Sequence, residues 1–204
     1  MDAIVQQALA KWPNVPHCYG WLALDARGAW RMRDAQAQQH NLAGDKLAHT
    51  ALIGFINRNY AHDPQGRWYF QNGPQRVYVN LEACPYIART DPIQGFVLQS
   101  GEPLTAIDAV WLSDTGQLLL QSGDRVAQLD DRDLAQCMPA LRMHGAPVTD
   151  EDLMAWVTGH DQEQIPAARL TFTCDGTQHV VRRIAQAAIA DQFGFVREPQ
   201  ADPA

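Results

Sequence analysis

Gln71, Asn72, Gln75 and Arg76 stand within six consecutive positions, with Glu82 and Arg89 soon after, and these side chains form the set best suited to recognising a ligand. The guanidinium of Arg76 can hold an anion through paired, charge-assisted hydrogen bonds, and the amides add directional donors and acceptors. Tyr69 and Trp68 would supply apolar contact beside them. Gly73 leaves the loop backbone accessible and Pro74 stiffens it, so little freedom would be lost on binding. A purely structural use fits the same residues: amides that satisfy their own loop, and Arg76 paired with Glu82 across strands.

Cys84, between Glu82 and Pro85, is the one candidate nucleophile, although a lone cysteine at a strand end also serves as packing. An enzyme using Cys84 as nucleophile, or a His/Asp pair assembled by folding, is the alternative to a binding module. The seven histidines, His17, His40, His49, His62, His144, His160 and His179, share no ligand spacing, and the four cysteines form no C-x-x-C pair. No metal or cofactor is therefore expected. The sequence contains no G-x-S-x-G elbow, no phosphate-cradling G-x-x-x-x-G-K-[ST], no G-x-G-x-x-G and no H-E-x-x-H.

The chain's 204 residues can bury a core without disulfides, and 46% hydrophobic with 19% charged residues is ordinary for a globular protein. A net charge of −7 argues against nucleic acid as a partner, since phosphate neutralisation needs a basic face. The charge is uneven: residues 1–100 carry 9 basic and 7 acidic residues, net +2, whereas residues 101–204 carry 7 and 16, net −9. Of the 16 basic residues only Lys11 and Lys46 are lysines. The N-terminus has no signal-peptide pattern and no stretch is long and apolar enough to span a bilayer, so a cytoplasmic location and no membrane partner are expected.

The candidate residues need a hairpin to hold them. Trp68-Tyr69-Phe70 leads into the loop and Val77-Tyr78-Val79 leads out, with Val77, Val79 and Leu81 alternating onto one face. A tight turn centred on Asn72-Gly73 would place Pro74, which has no N–H, at the closing position, so a wider loop is expected. Around this hairpin the sequence predicts a helix over residues 2–12, a hairpin over Cys18–Arg33 and a helix within Asp45–Tyr60. A brief strand at Tyr86–Ala88, at an edge or beside a bend, follows, then strands at Leu104–Leu112, Gln117–Gln121 and Arg125–Leu129. Helices at Asp131–Met143 and Asp150–Thr158, a strand at Arg169–Cys174 and a helix over Val180–Phe193 ended by Gly194 complete the pattern.

Four turns share one grammar, at Asp25–Gly28, Asp63–Gly66, Asp114–Gly116 and Asp175-Gly176. The stretch Gly66–Gly73 also lines up with Gly116–Gly123, and a one-residue gap then matches Arg76-Val77 with Arg125-Val126, which suggests a duplicated β-rich unit. Asp25, Gly28 and Trp30, then Gly66, Trp68, Tyr69 and Phe70, then Pro74, Val77, Val79, Glu82, Pro85 and Tyr86 follow a recognisable order. It resembles uncharacterised bacterial families known only as domains of unknown function. Their members run D-x-x-G-x-W, a helix, G-x-Y-Y-L, a threonine-proline loop and a valine-rich strand ending in acid-x-x-Pro-Phe. The resemblance covers about Trp21 to Ala88 and departs in the Asn-Gly-Pro-Gln loop. It implies repeated α+β motifs and a ligand-sensing or signalling role.

The expectation is an α+β protein of mainly antiparallel hairpins with flanking helices, in two similar β-rich lobes at 1–95 and 96–197 and a loose tail at 198–204. Its function is expected to be non-enzymatic: recognition of a small anionic ligand or a protein partner through Gln71, Asn72, Gln75, Arg76, Glu82, Arg89 and Tyr69.

Overall fold

Three turns of one design set the strand pattern. In each, a short polar side chain accepts two backbone N–H groups just ahead of it: Asp25 from Arg27 and Ala29, Asp63 from Gln65 and Arg67, and Ser113 from Thr115 and Gln117. The carbonyl of the same residue accepts from the glycine three positions on, Gly28, Gly66 or Gly116. Those glycines sit at φ of 78°, 75° and 86°, a region closed to most side chains. The third turn is shifted by one residue from the sequence expectation. Asp114 caps the Gln186 N–H instead, and Ser113 takes the bridging role.

The computed structural model describes residues 1–159 and 170–202; His160 and Arg169, the latter the expected first residue of the last strand, lie outside them. The chain forms two compact units, Met1–Pro85 with Ala190–Ala204, and Tyr86–Ile189. The boundary therefore falls ten residues before the one expected at 95/96, because the strands that follow Pro85 pair within the second unit. Counted over these units the first is neutral, with nine basic and nine acidic residues, and the second carries net −7.

The first unit contains helix α1 (Ala3–Lys11), strands β1 (Cys18–Leu24) and β2 (Trp30–Met32), helix α2 (Ala35–Gln39), strand β3 (Asp45–Lys46) and helix α3 (Thr50–Arg58). Strands β4 (Tyr60–His62), β5 (Trp68–Asn72) and β6 (Gln75–Leu81) follow. The sheet order is β3-β2-β1-β6-β5-β4, antiparallel except for the parallel pair β1/β6. One face is covered by α3, where Phe55 meets Phe70 edge-on at 5.4 Å and the Trp30 indole N–H donates to Asn57 at 2.8 Å. In α1, Val5 is buried whereas Ile4 and, just past its end, Trp12 are exposed.

The central hairpin is tighter than expected. Asn72 pairs with Gln75, so the turn is centred on Gly73-Pro74, one residue later than the Asn-Gly reading. Gly73 supplies the positive φ of 56° and Pro74 its fixed negative one, the sign pattern of a type II′ turn. At that position the missing proline N–H costs no ladder hydrogen bond.

The second unit runs through β7 (Tyr86–Asp91), β8 (Gly95–Leu98), β9 (Ala109–Ser113), β10 (Leu118–Ser122) and β11 (Arg125–Leu129). Helix α4 (Leu134–Cys137), strands β12 (Leu141–Met143) and β13 (Ala146–Pro147), and helix α5 (Asp150–Thr158) come next. Strands β14 (Leu170–Cys174) and β15 (Thr177–Ile184) end it, in the order β13-β12-β14-β15-β9-β10-β11-β7-β8. Thr149 and Asp152 form the expected capping box of α5. Four expectations change here. The strand expected from Leu104 begins only at Ala109. The helix expected over Asp131–Met143 is short turns around α4 that give way to β12. The strand β7 lies inside the sheet rather than at its edge. The helix expected from Val180 is a strand, because Asp175 and Gly176, both at positive φ, close a two-residue hairpin and β-branched Thr177, Val180, Val181 and Ile184 continue it. A shorter helix, α6 (Ile189–Phe193), leads back to the first unit and ends at Gly194 as expected.

The two units share five strands in the same order and directions. In β2-β1-β6-β5-β4 and in β8-β7-β11-β10-β9, a hairpin is followed by a three-stranded meander whose last strand pairs parallel with the hairpin's first. Gln71 donates to the Gly73 carbonyl at 2.9 Å, and Gln121 repeats the contact to Gly123 at 3.4 Å. No gap is needed at the turn, since Asn72 pairs with Gln75 and Ser122 with Arg125, so Gln75 and not Arg76 occupies the place of Arg125.

Equivalent turn glycines then make a matched test. A Cβ on Gly66 would lie 2.0 Å from the Gly194 carbonyl oxygen, whereas one on Gly116 meets nothing within 4 Å. In denaturant unfolding, Gly116→Ala should lose about 1 to 2 kcal/mol, the cost of a left-handed L-residue. Gly66→Ala should lose about 3 kcal/mol or more, because backbone rather than a movable side chain is in the way.

Candidate functional site

Arg31 and Arg33 alternate onto one face of the first sheet, and the chain then folds back over them. Asp34 caps α2 by accepting the Ala37 N–H at 2.7 Å, and Gln38 returns a hydrogen bond to the Arg33 carbonyl at 3.1 Å. After α2 the loop turns through Asn41 at φ 49° and Gly44 at φ 79°. A Cβ on Gly44 would lie 2.3 Å from the Met32 carbonyl oxygen and 2.8 Å from Arg33 Cγ, so glycine alone lets the loop pass this close.

This loop wraps the Arg33 guanidinium, and Arg33 as a residue is only 8% exposed. Its Nε donates to the Leu42 carbonyl at 3.0 Å and one terminal nitrogen to Asn41 Oδ1 at 3.1 Å. Both partners are neutral. Arg31 is different: its Nε meets the Asp25 carboxylate at 2.8 Å. Among the described residues Arg33 has no carboxylate partner, and a buried charge without one is costly unless something else compensates it.

Two adjoining cavities open on Arg33. One, of about 260 Å³, is walled by Leu24, Arg31, Leu42, Ala43 and Glu82; the other, of about 230 Å³, by Tyr19, Gln38, Pro199 and Gln200. Arg33, Asn41, Asn80 and Glu198 line both. The C-terminal segment forms one wall because it is tied down at several points. Val196 donates to the Gly66 carbonyl, Leu81 to that of Arg197, the Arg197 guanidinium to the Glu82 carbonyl, and Asp202 pairs with Arg67 at 2.7 Å. The tail expected to be loose is thus part of the site.

The expected recognition set is not brought together. Gln71 is 1% exposed, its amide turned onto the Gly73 carbonyl. Asn72 is exposed at the turn and Gln75 donates to the Pro16 carbonyl at 2.8 Å. Arg76 stacks over Tyr69, with its guanidinium carbon 4.5 Å from the ring centroid, and Tyr69 is itself buried against Tyr78. Glu82 lies six residues along from Arg76, about 20 Å at strand rise, so the two cannot pair. Arg89 belongs to the second unit, 3.9 Å from Asp130. Of the set, Glu82 alone lines the cleft. Sequence reasoning missed Arg31, Arg33, Asn41, Asn80 and Glu198. The Arg-x-Arg spacing in a strand was the available signal for the first two; the others are assembled by parallel pairing and a distant tail.

Cys84 is 1% exposed, and burial pushes its thiol up to about 12, against a small opposing pull from Arg197. Burial therefore keeps it as the protonated thiol at neutral pH, which counts against the nucleophile reading. His62, which precedes Asp63, is hydrogen-bonded to the Asp63 backbone carbonyl at 3.0 Å and packs its ring 4.8 Å from that of Trp68. Among the described residues no three His, Cys, Asp or Glu side chains cluster as metal ligands, and no helix is long and apolar enough to cross a membrane.

The DUF2944 family, described as a protein of unknown function (DUF2946), matches residues 1–200. The chain belongs to this family. It is also similar to the solved structure of a DUF1285 family protein from Silicibacter pomeroyi DSS-3, at 10% identity and a TM-score of 0.49, over 89% of this chain and 96% of that one. No curated protein matches.

Two tests follow from the placement of these groups. Cys84 should react with a thiol alkylator at neutral pH far more slowly than half-buried Cys18, and only unfolding should make the two alike. In the second unit, hydrogen bonds from Arg132 outweigh burial and hold the Asp130 carboxyl at about 2. A depressed folded pKa stabilises above the unfolded value and is lost as pH falls through the folded one, so about 2 kcal/mol should disappear between pH ~4 and ~2. Asp130→Asn should flatten that acid limb in unfolding curves.

Proposed function

We propose that this chain is a non-enzymatic binding module that captures a small anionic ligand in the cleft of its first unit. The observation that carries this reading is Arg33, a buried guanidinium that faces two cavities and is matched only by a backbone carbonyl and an amide. A guanidinium so placed offers its remaining N–H donors in a fixed plane, the geometry suited to a carboxylate or phosphate. Asn80 adds an amide that makes no hydrogen bond among the described residues, on β6 opposite Ala23. The cleft walls are set before any ligand arrives, since the loop over Arg33 and the C-terminal segment are held by backbone bonds. A regulatory role fits a site whose wall is the chain's own C-terminal segment: a ligand that touches Glu198 or Gln200 also touches the tether that ends at Arg67 and Asp202.

Titration calorimetry of the full chain against acetate, inorganic phosphate and small carboxylates tests the reading. Arg33→Gln should weaken the bound anion by about 1.5 to 3 kcal/mol, the worth of charge-assisted hydrogen bonds. Asn80→Ala, which removes no side-chain hydrogen bond among the described residues, should weaken it by about 1 kcal/mol with a nearly unchanged melting temperature. Anion binding that survives Arg33→Gln at full strength would place the site elsewhere.

A further inference from the structure

We propose that the ligand of this cleft is zwitterionic: a small compound with a carboxylate for Arg33, an ammonium group for Glu198 and a short aliphatic part, as in an aliphatic amino acid. The inference rests on the binding reading above and goes beyond it by naming the ligand class.

The charges lining the two cavities decide between an anion and a zwitterion. Arg31 and Arg33 face Asp25, Glu82 and Glu198. Asp25 is committed to Arg31 at 2.8 Å. That leaves one guanidinium and two carboxylates, so an anion bound to Arg33 alone would be repelled by the acids around it. A ligand carrying both signs meets Arg33 and one of the two carboxylates with opposite charges and adds no net charge to the cleft. Arg33 and Glu198 line the same two cavities, yet no ion pair joins them, and Glu198 makes no hydrogen bond among the described residues. Glu82 accepts the Ala26 N–H at 3.0 Å and lines only the larger cavity, which makes Glu198 the better ammonium partner.

The remaining walls divide by polarity. The smaller cavity is lined by amides, Gln38 and Gln200 besides Asn41 and Asn80, suited to a charged head group. The larger one adds Leu42 and Ala43, suited to a short aliphatic group. Because Arg33 and Asn80 stand in both, one molecule can place its head in the first and its side chain in the second.

Titration of the full chain with L-leucine, N-acetyl-L-leucine and L-leucinamide separates the two readings, with inorganic phosphate as a plain anion. Leucine should bind at least tenfold more tightly than either derivative, since one lacks the ammonium and the other the carboxylate. Glu198→Gln, a change at an exposed side chain, should reduce leucine binding to the level of N-acetyl-leucine while leaving N-acetyl-leucine unweakened. If N-acetyl-leucine or phosphate binds as tightly as leucine, through Arg33, the anion reading stands and the zwitterion is overturned. If none of the four binds, both fall.

Discussion

The Asp63 carboxylate accepts four hydrogen bonds, from the backbone of Gln65 and Arg67, from Arg67 Nε at 2.7 Å and from the Tyr78 hydroxyl at 3.0 Å, and the first unit is arranged around it. Burial pushes its pKa up, but the hydrogen bonds from Arg67 and Tyr78 outweigh that and hold it below the usual carboxylate range. It is therefore charged at neutral pH and its lone pairs are filled. Each donor carries the constraint outward. Arg67 reaches Asp202 and lies 5.2 Å over the Tyr78 ring, and Tyr78 stacks on Tyr19 at 4.6 Å. The same turn exposes the Gly66 carbonyl to Val196. The turn, β6, the N-terminal part of β1 and the C-terminal segment are thus fixed by one buried ion pair, and breaking either partner would leave a buried charge uncompensated.

That knot explains why the candidate site sits where it does. The C-terminal segment buries Phe195 and Pro199, and Gly66, Arg67 and Leu81 hold it in place. Glu198, Pro199 and Gln200 follow directly from those anchors into the cleft. On the opposite side the loop after α2 is held by the Arg33 guanidinium, so the residue proposed to bind the ligand also shapes the wall around it.

Local grammar was legible in the sequence, and long-range assembly was not. The turn at Asp63–Gly66, the capping box at Thr149 and the repeat between Gly66–Gly73 and Gly116–Gly123 each depend on residues close together in the chain. Polar side chains satisfy nearby backbone in ways that spacing alone reveals. Pairing of β1 with β6 in parallel depends on nothing local, and it sets Asn80 beside Ala23 and near Arg33. The attachment of residue 202 to residue 67 is likewise invisible to periodicity. Arg76 misled for a related reason. A guanidinium at a hairpin looks like a ligand donor until the ring that it covers is known, and Tyr69 occupies that face.

The shared five-strand motif shows where the two units differ. At matching positions of the two units, Asp63 and Arg67 in the first correspond to Ser113 and Gln117 in the second, which form the same turn from neutral groups. Trp68-Tyr69-Phe70 likewise corresponds to Leu118-Leu119-Leu120, a trio buried at 1% or less. The scaffold thus needs neither the charge nor the aromatic rings for its turn or its strand order. Measured from the turn, β6 is also two residues longer than β11, and it is this longer strand that carries Asn80 to the cleft. Charged groups that a fold can replace with neutral ones, yet buries at the cost of desolvation, are retained for what they hold in place. In the first unit they hold a tail and a tyrosine stack at the margin of a cleft, whereas the neutral turn of the second reaches the chain at Ile184 and Gln186 through Asp114 and Thr115.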